Sequence, residues 1–169
     1  SSYISSLKLN SSKASMLVSG YHKAHKEFEE ALCAANGFED GIILGSGFNA
    51  NIALMDSLVR KGDALFMDEL YHASGIYAAR GLSVNFFAHN DMQALERLLK
   101  ESKAKRKIIA VEGIYSMDGD MVDGAVFELS KAYDAILVVD EAHSSGVVGK
   151  KLMGVFDHYG VKIESNYIK

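Results

Sequence analysis

The sequence predicts an α/β fold, a mainly parallel sheet flanked by helices, and three observations carry that prediction. Short apolar runs bounded by turn residues alternate with helical patterns from residue 22 to residue 140. The runs are branched and continuous, as strands buried on both faces are, not alternating as half-exposed strands are. Such an order demands crossover connections, hence parallel neighbours with helices packed on the sheet. The clearest run is Ile136-Leu-Val-Val-Asp140, which stops at an acid and is followed by His143 and Gly146.

In chain order, residues 1–21 are rich in Ser and Lys with little periodicity. From His22 a helical stripe of Phe28, Ala31, Leu32 and Ala35 runs to the stop signal Asn36-Gly37. Residues 41–44 read as a short strand, 48–60 as a helix, 64–67 as a strand ending at Asp68, and 74–80 as a helix. Residues 83–88 read as a strand, and Asn90-Asp91 as the cap of a helix through Met92, Leu95, Leu98 and Leu99. Residues 107–112 are a strand ending at Glu112, 126–133 a helix, and 135–140 a strand. A short helical piece near 155–159 and the opening of a further strand at 165–169 complete the chain.

The 169 residues, 49% hydrophobic and 24% charged, suffice for one core. A net charge of −4 without a clustered basic face argues against nucleic acid as a partner; Lys103 to Lys107 read as a solvated loop. No apolar run approaches the ~20 residues of a membrane span, no secretory signal is visible, and a cytoplasmic setting fits. The single cysteine, Cys33, excludes an internal disulfide and reads as a small buried hydrophobe. The absence of proline, a start without methionine and an end on the opening of a strand suggest a piece of a longer protein.

Several strands are expected to end in polar clusters: Gly45-Ser46-Gly47, Asp68 with His72, Glu112 with Ser116, and Asp140 with His143. In an open parallel sheet these ends converge on one edge, where ligands bind. Asp140 there either meets a cationic partner or caps the next turn, since a bare buried carboxylate is costly. Gly45-Ser-Gly47 before a helix suits an anion cradle or a plain strand-to-helix turn. It is not the dinucleotide pattern, because position 50 is Ala. His72 and His143 suit acid/base or ring-stacking roles, or a hydrogen-bonded structural one. No metal is expected: Asp-x-x-His at 140–143 is not a favoured ligand spacing, and turn chemistry explains Asp118 and Asp120 about Gly119 as well as a cation does. His22 and His25 read as surface or capping residues.

Six motifs occur in register: Ala14-Ser-Met-Leu-Val-Ser-Gly-Tyr21, Gly45-Ser-Gly-Phe-Asn-Ala-Asn51, Asp68-Glu-Leu-Tyr-His-Ala-Ser74, His89-Asn-Asp91, Glu112-Gly-Ile-Tyr-Ser-Met-Asp-Gly-Asp120 and Val139-Asp-Glu-Ala-His-Ser-Ser-Gly146. Together they resemble the α-oxoamine synthases, fold-type I enzymes that depend on pyridoxal 5'-phosphate (PLP). The resemblance implies the large, PLP-binding domain of the aminotransferase-like architecture, incomplete here. Residues 1–21 would be a partial N-terminal arm, 22–169 part of the large domain, and the C-terminal small domain would be absent.

It also implies decarboxylative condensation of an amino acid with an acyl-CoA or acyl-ACP thioester by a homodimer. The biotin-pathway branch, using L-alanine and a pimeloyl thioester, is favoured by Tyr21-His22 and the run before it. Members acting like 2-amino-3-oxobutyrate CoA ligase, 5-aminolaevulinate synthase or serine palmitoyltransferase share most motifs, and a non-catalytic α/β binding domain is the rival from another class.

By resemblance, Asp140 pairs with the pyridine nitrogen, His72 stacks on the ring, and His143 and Ser116 lie near the phenolic oxygen. Gly47 and Phe48 hold the phosphate through their backbone, and Glu112 supports the site from beneath. Two departures matter. By resemblance the Schiff-base lysine is expected just after the strand that Tyr167-Ile168-Lys169 begins, in a Ser/Gly-Lys-Ala/Gly context, and Lys169 itself comes too early, so the 169-residue chain is expected to be inactive alone. Met16 stands where many members carry Arg.

Overall fold

A computed structural model describes residues 14–169 and divides the chain into two compact units that part between Ile43 and Leu44. The expected arm at 1–21 lies outside the described residues as far as residue 13.

In the first unit a single π-turn, Met16–Gly20, precedes helix α1, Lys23–Asn36. Gly37 ends α1 in the left-handed region at φ 78°, and its N–H bonds Cys33 O at 2.8 Å. His25 Nδ1 accepts the His22 N–H at 3.0 Å, so this pair does the capping expected of it. Cys33 is only partly covered, not the buried hydrophobe expected: its sulfur lies against the chain at Gly41, while Leu32, Ala34 and Ala35 about it are exposed. Glu29 organises the unit, accepting the Tyr21 hydroxyl at 2.5 Å and the Ile43 N–H at 2.8 Å.

The strand expected at residues 41–44 is not formed. Its N–H groups go to side chains, Gly41 to Asp40 Oδ1 and Ile43 to Glu29 Oε1, and Ile42 is 70% exposed. Apolar residues with β propensity make a strand only where a neighbouring strand completes the ladder.

The second unit runs α2 (Gly47–Leu58), β1 (Ala64–Asp68), α3 (Ala73–Ala78), β2 (Val84–Phe87), α4 (Met92–Glu101), β3 (Lys107–Glu112), α5 (Ala125–Ala132), β4 (Ala135–Asp140), α6 (Val155–His158) and β5 (Tyr167–Ile168). The strands form one sheet in the order β2-β1-β3-β4-β5, every pair parallel. The parallel sheet flanked by helices is therefore as expected, and β3 and β4 have the bounds read from the sequence.

Side chains alternate across the strands. Leu65, Met67, Ile108, Ala110 and Val138 form one face, with Met55, Tyr71 and Ala79 packed on it. The opposite parity, including Phe66, Ile109 and Leu137, is buried as well. There Phe127 of α5 gathers Phe156 and Tyr167 with ring centroids 5.2 and 6.1 Å away. Helix α4 starts on Asp91, whose carboxylate accepts Gln93 N and Ala94 N, and buries Leu95 and Leu99.

Gly75, in α3, sits directly against the Tyr71 ring. A Cβ there would lie 2.0 Å from Tyr71 Cε1, and the ring is 2% exposed with nowhere to go. Gly75→Ala is expected to lower unfolding stability by about 1–3 kcal/mol, read as a lower urea midpoint at unchanged slope.

Candidate active site

Parallel pairing brings the strand ends to one edge of the sheet. Glu112 and Asp140 are direct register partners at the ends of β3 and β4, and Asp68 ends β1 beside them. Two carboxylates on adjacent strand ends cannot both be charged cheaply. The chain resolves this by burying one: Glu112 is 2% exposed, whereas Asp140 is partly open. Burial first, and then the nearby Asp140, push the Glu112 carboxyl above the usual carboxylate range, only partly offset by the Ser116 N–H that donates to Oε2 at 3.0 Å. Glu112 Oε1 is buried and has no hydrogen-bond partner among the described residues.

Asp140 is held at both oxygens. Oδ1 accepts the Ala142 N–H at 3.1 Å, and Oδ2 accepts Asn51 Nδ2 at 3.1 Å. Asn51 also donates to Ser74 Oγ at 2.9 Å and accepts the Tyr71 hydroxyl at 3.0 Å. His72 caps α3: its Nδ1 accepts the Ser74 N–H at 3.2 Å and lies 2.6 Å from Ser74 Oγ. His72, His143 and Ser116 are exposed on this edge.

Ser46 caps α2 by accepting the Asn49 N–H at 3.2 Å, so the helix opens at Gly47 and Phe48, whose ring lies 5.6 Å from Tyr77. A Cβ added at Gly45 or Gly47 would meet nothing within 4 Å. The protein's own packing does not require glycine at either position, which suits a ligand's close approach to the backbone.

Behind this edge Asp68 is fully buried and accepts four donors: Leu70 N and Asn90 N at 2.8 Å, the Tyr115 hydroxyl at 2.9 Å and His89 Nδ1 at 3.0 Å. His89 Nε2 meets Asp120 Oδ2 at 3.0 Å. His89, Asp118 and Asp120 offer atoms within 4.8 Å of one another, but both His89 ring nitrogens are already engaged by carboxylates.

The sequence model of the aminotransferase class I and II family matches residues 5–166. The chain belongs to that family. It is 44% identical over 164 residues to the 8-amino-7-oxononanoate synthase of Helicobacter pylori strain ATCC 700392 / 26695, covering 95% of this chain and 44% of that protein. Among solved structures it is similar to a serine palmitoyltransferase from S. paucimobilis with bound PLP-myriocin aldimine, at TM-score 0.86 and 28% identity over 95% of this chain and 41% of the other. It is also similar to the 8-amino-7-oxononanoate synthase of Francisella tularensis, at TM-score 0.70 and 28% identity over 83% of this chain and 41% of the other. The chain thus spans less than half the length of these relatives. The resemblance to the α-oxoamine synthases read from the six motifs stands.

Three residues of the site carried no expectation of a role: Asn51, Ser74 and Tyr71. A buried Asn in a helix interior is a faint signal, since Asn is a poor helix former there. Its partners, 20 to 89 positions away, are invisible to any local pattern.

Proposed function

We propose that this chain forms the cofactor-binding part of an 8-amino-7-oxononanoate synthase, a PLP-dependent acyltransferase joining L-alanine to a pimeloyl thioester. The observation that carries the reading is Asp140: an acid clamped at both oxygens, at the open end of a parallel sheet, in register with the buried Glu112. A carboxylate fixed in that way suits a protonated pyridine nitrogen. The open glycine cradle at the start of α2 suits a phosphate, and the unpartnered Glu112 Oε1 leaves the pocket floor a polar atom to offer. These residues fit PLP.

When bound, PLP supplies an electron sink for a bond breaking at the amino acid's Cα. The chain's residues do the holding. Asp140 would keep a proton on the pyridine nitrogen. Gly47 and Phe48 would offer N–H groups and the positive end of the α2 dipole to the phosphate. His72 would hold the ring face, His143 and Ser116 would serve the phenolic oxygen, and Glu112 would support the site from beneath. The protein works as a homodimer in the cytoplasm, on an acyl-CoA or acyl-ACP substrate.

None of the chain's own lysines is the covalent anchor. Lys169, the last residue, donates to Met153 O at 2.6 Å and lies 3.8 Å from Glu141 Oε1. Burial holds its ammonium below the usual lysine range against the pull of Glu141. Borohydride treatment of the 169-residue chain with PLP is expected to leave no single modified lysine on peptide mapping; one lysine modified stoichiometrically would show the anchor to lie within the chain.

The higher TM-score to serine palmitoyltransferase favours a second reading, a different amino acid and acyl partner on the same scaffold. Protein expressed from the complete reading frame, given alanine, glycine or serine with pimeloyl, acetyl, succinyl or palmitoyl thioesters, separates the two. Thiol release is expected with alanine and pimeloyl thioester; turnover only with serine and a long acyl chain would select the second reading, and none with any pair would remove both.

A further inference from the structure

Asn51 is 7% exposed in the middle of α2, between Ala50 and Ile52, one turn before the core residue Met55. A side-chain amide has one acceptor end and two donor hydrogens, and here all three are used. The flip state is dictated by the partners: a carboxylate accepts, so Nδ2 must face Asp140, and Oδ1 then takes the Tyr71 hydroxyl. The second Nδ2 hydrogen goes to Ser74 Oγ, which leaves the Ser74 hydroxyl proton to point at His72 Nδ1, 2.6 Å away. Because Nδ1 also receives the Ser74 N–H, the neutral His72 ring carries its proton on Nε2.

One amide therefore touches the acid assigned to the ring nitrogen directly and the imidazole assigned to the ring face through a single hydroxyl. Asp140 and His72 come from different elements, and no other bond among the described residues joins them. Removing the amide frees one Asp140 oxygen to rotate and unties the α3 cap from β4.

We propose that Asn51 is a positioning residue for the cofactor ring, its amide locking the Asp140 carboxylate and the His72 imidazole into one hydrogen-bonded unit so that edge and face contacts are oriented together. This rests on the PLP reading above.

The test uses protein from the complete reading frame with PLP labelled with 15N in the ring. In the unaltered protein the pyridine nitrogen is expected to resonate as protonated. Asn51→Leu removes both donors, and Asn51→Asp, near in shape, sets a like charge against Asp140. Both are expected to move the 15N resonance toward the unprotonated position and to weaken PLP binding about 10-fold. Ser74→Ala, which cuts only the His72 branch, is expected to weaken binding while leaving the resonance in place.

Met55→Ala, a packing loss on the same helix, is expected to lower the melting temperature with the resonance unmoved. If Asn51→Leu does not fold, Asn51→Asp decides. A resonance and affinity within about twofold of the unaltered protein in the Asn51 variants, or an equal shift in Met55→Ala, overturns the proposal and leaves the PLP reading standing. Failure of the unaltered protein to bind PLP overturns both.

Discussion

Asp140→Asn is expected to lower kcat roughly 100- to 1,000-fold in protein from the complete reading frame, with little change in thermal stability. The two side chains are nearly the same size, and the amide oxygen of Asn can still accept the N–H of Ala142 or the Nδ2 of Asn51. What is lost is the negative charge. On the PLP reading proposed above, a neutral amide would have far less hold on a proton at the pyridine nitrogen, so the ring's capacity as an electron sink would fall while binding through the phosphate cradle would persist. Weak loss of affinity with large loss of kcat marks an interaction that matters most in the transition state. A variant with kcat within tenfold of the unaltered enzyme would remove Asp140 from the role given to it.

The same residue shows what a local pattern can and cannot convey. The strand Ala135–Asp140 was legible because a continuous branched apolar run needs burial on both faces, and only the centre of a parallel sheet supplies that. The convergence of Asp68, Glu112 and Asp140 follows from parallel order alone. The residues that hold Asp140 were not legible. Asn51 is 89 positions away, and its use depends on how α2 is rotated on the sheet, which packing of Met55 against Leu65 and Met67 decides.

Residues 41–44 failed in the opposite sense. Gly-Ile-Ile-Leu has strand propensity, but the Gly41 and Ile43 N–H groups are taken by Asp40 and Glu29, so propensity had no ladder to join. His89 was legible only as part of a motif; its place between two carboxylates comes from the β1–β2 register, which sets the end of β2 beside Asp68.

Asp68→Asn is expected to destabilise the fold by about 3–5 kcal/mol, the usual cost of breaking a fully buried charged network by removing one member. Asp68 is an acceptor for four donors, and an Asn there must turn an NH2 toward two of them. The loop carrying Ser116 hangs on this network through Tyr115, and the Asn90 side chain ties the same loop at Asp120 Oδ2 and Met121 O. Loss of cofactor affinity should therefore accompany loss of stability, in contrast to Asp140→Asn.

The network also has a pH signature carried by His89. Burial alone disfavours its cation and is the largest single influence, but the hydrogen bonds and charges of Asp68 and Asp120 together outweigh it and raise the imidazole above 6.5. A base whose folded pKa is raised adds stability that is fully present below its unfolded value and disappears as pH rises through the folded one. The groups facing it are Asp68 and Asp120 on its two nitrogens, Asp118 nearby, the Tyr115 ring at 4.4 Å, and Glu69, which accepts the His89 N–H. In His89→Gln the stability deficit against the unaltered protein should be largest near pH 6 and shrink as the pH rises above about 7. A urea-midpoint difference that stays constant from about pH 6 to pH 9, across the ordinary histidine range, would show that His89 contributes by packing alone and that Asp68 is balanced by its three neutral donors.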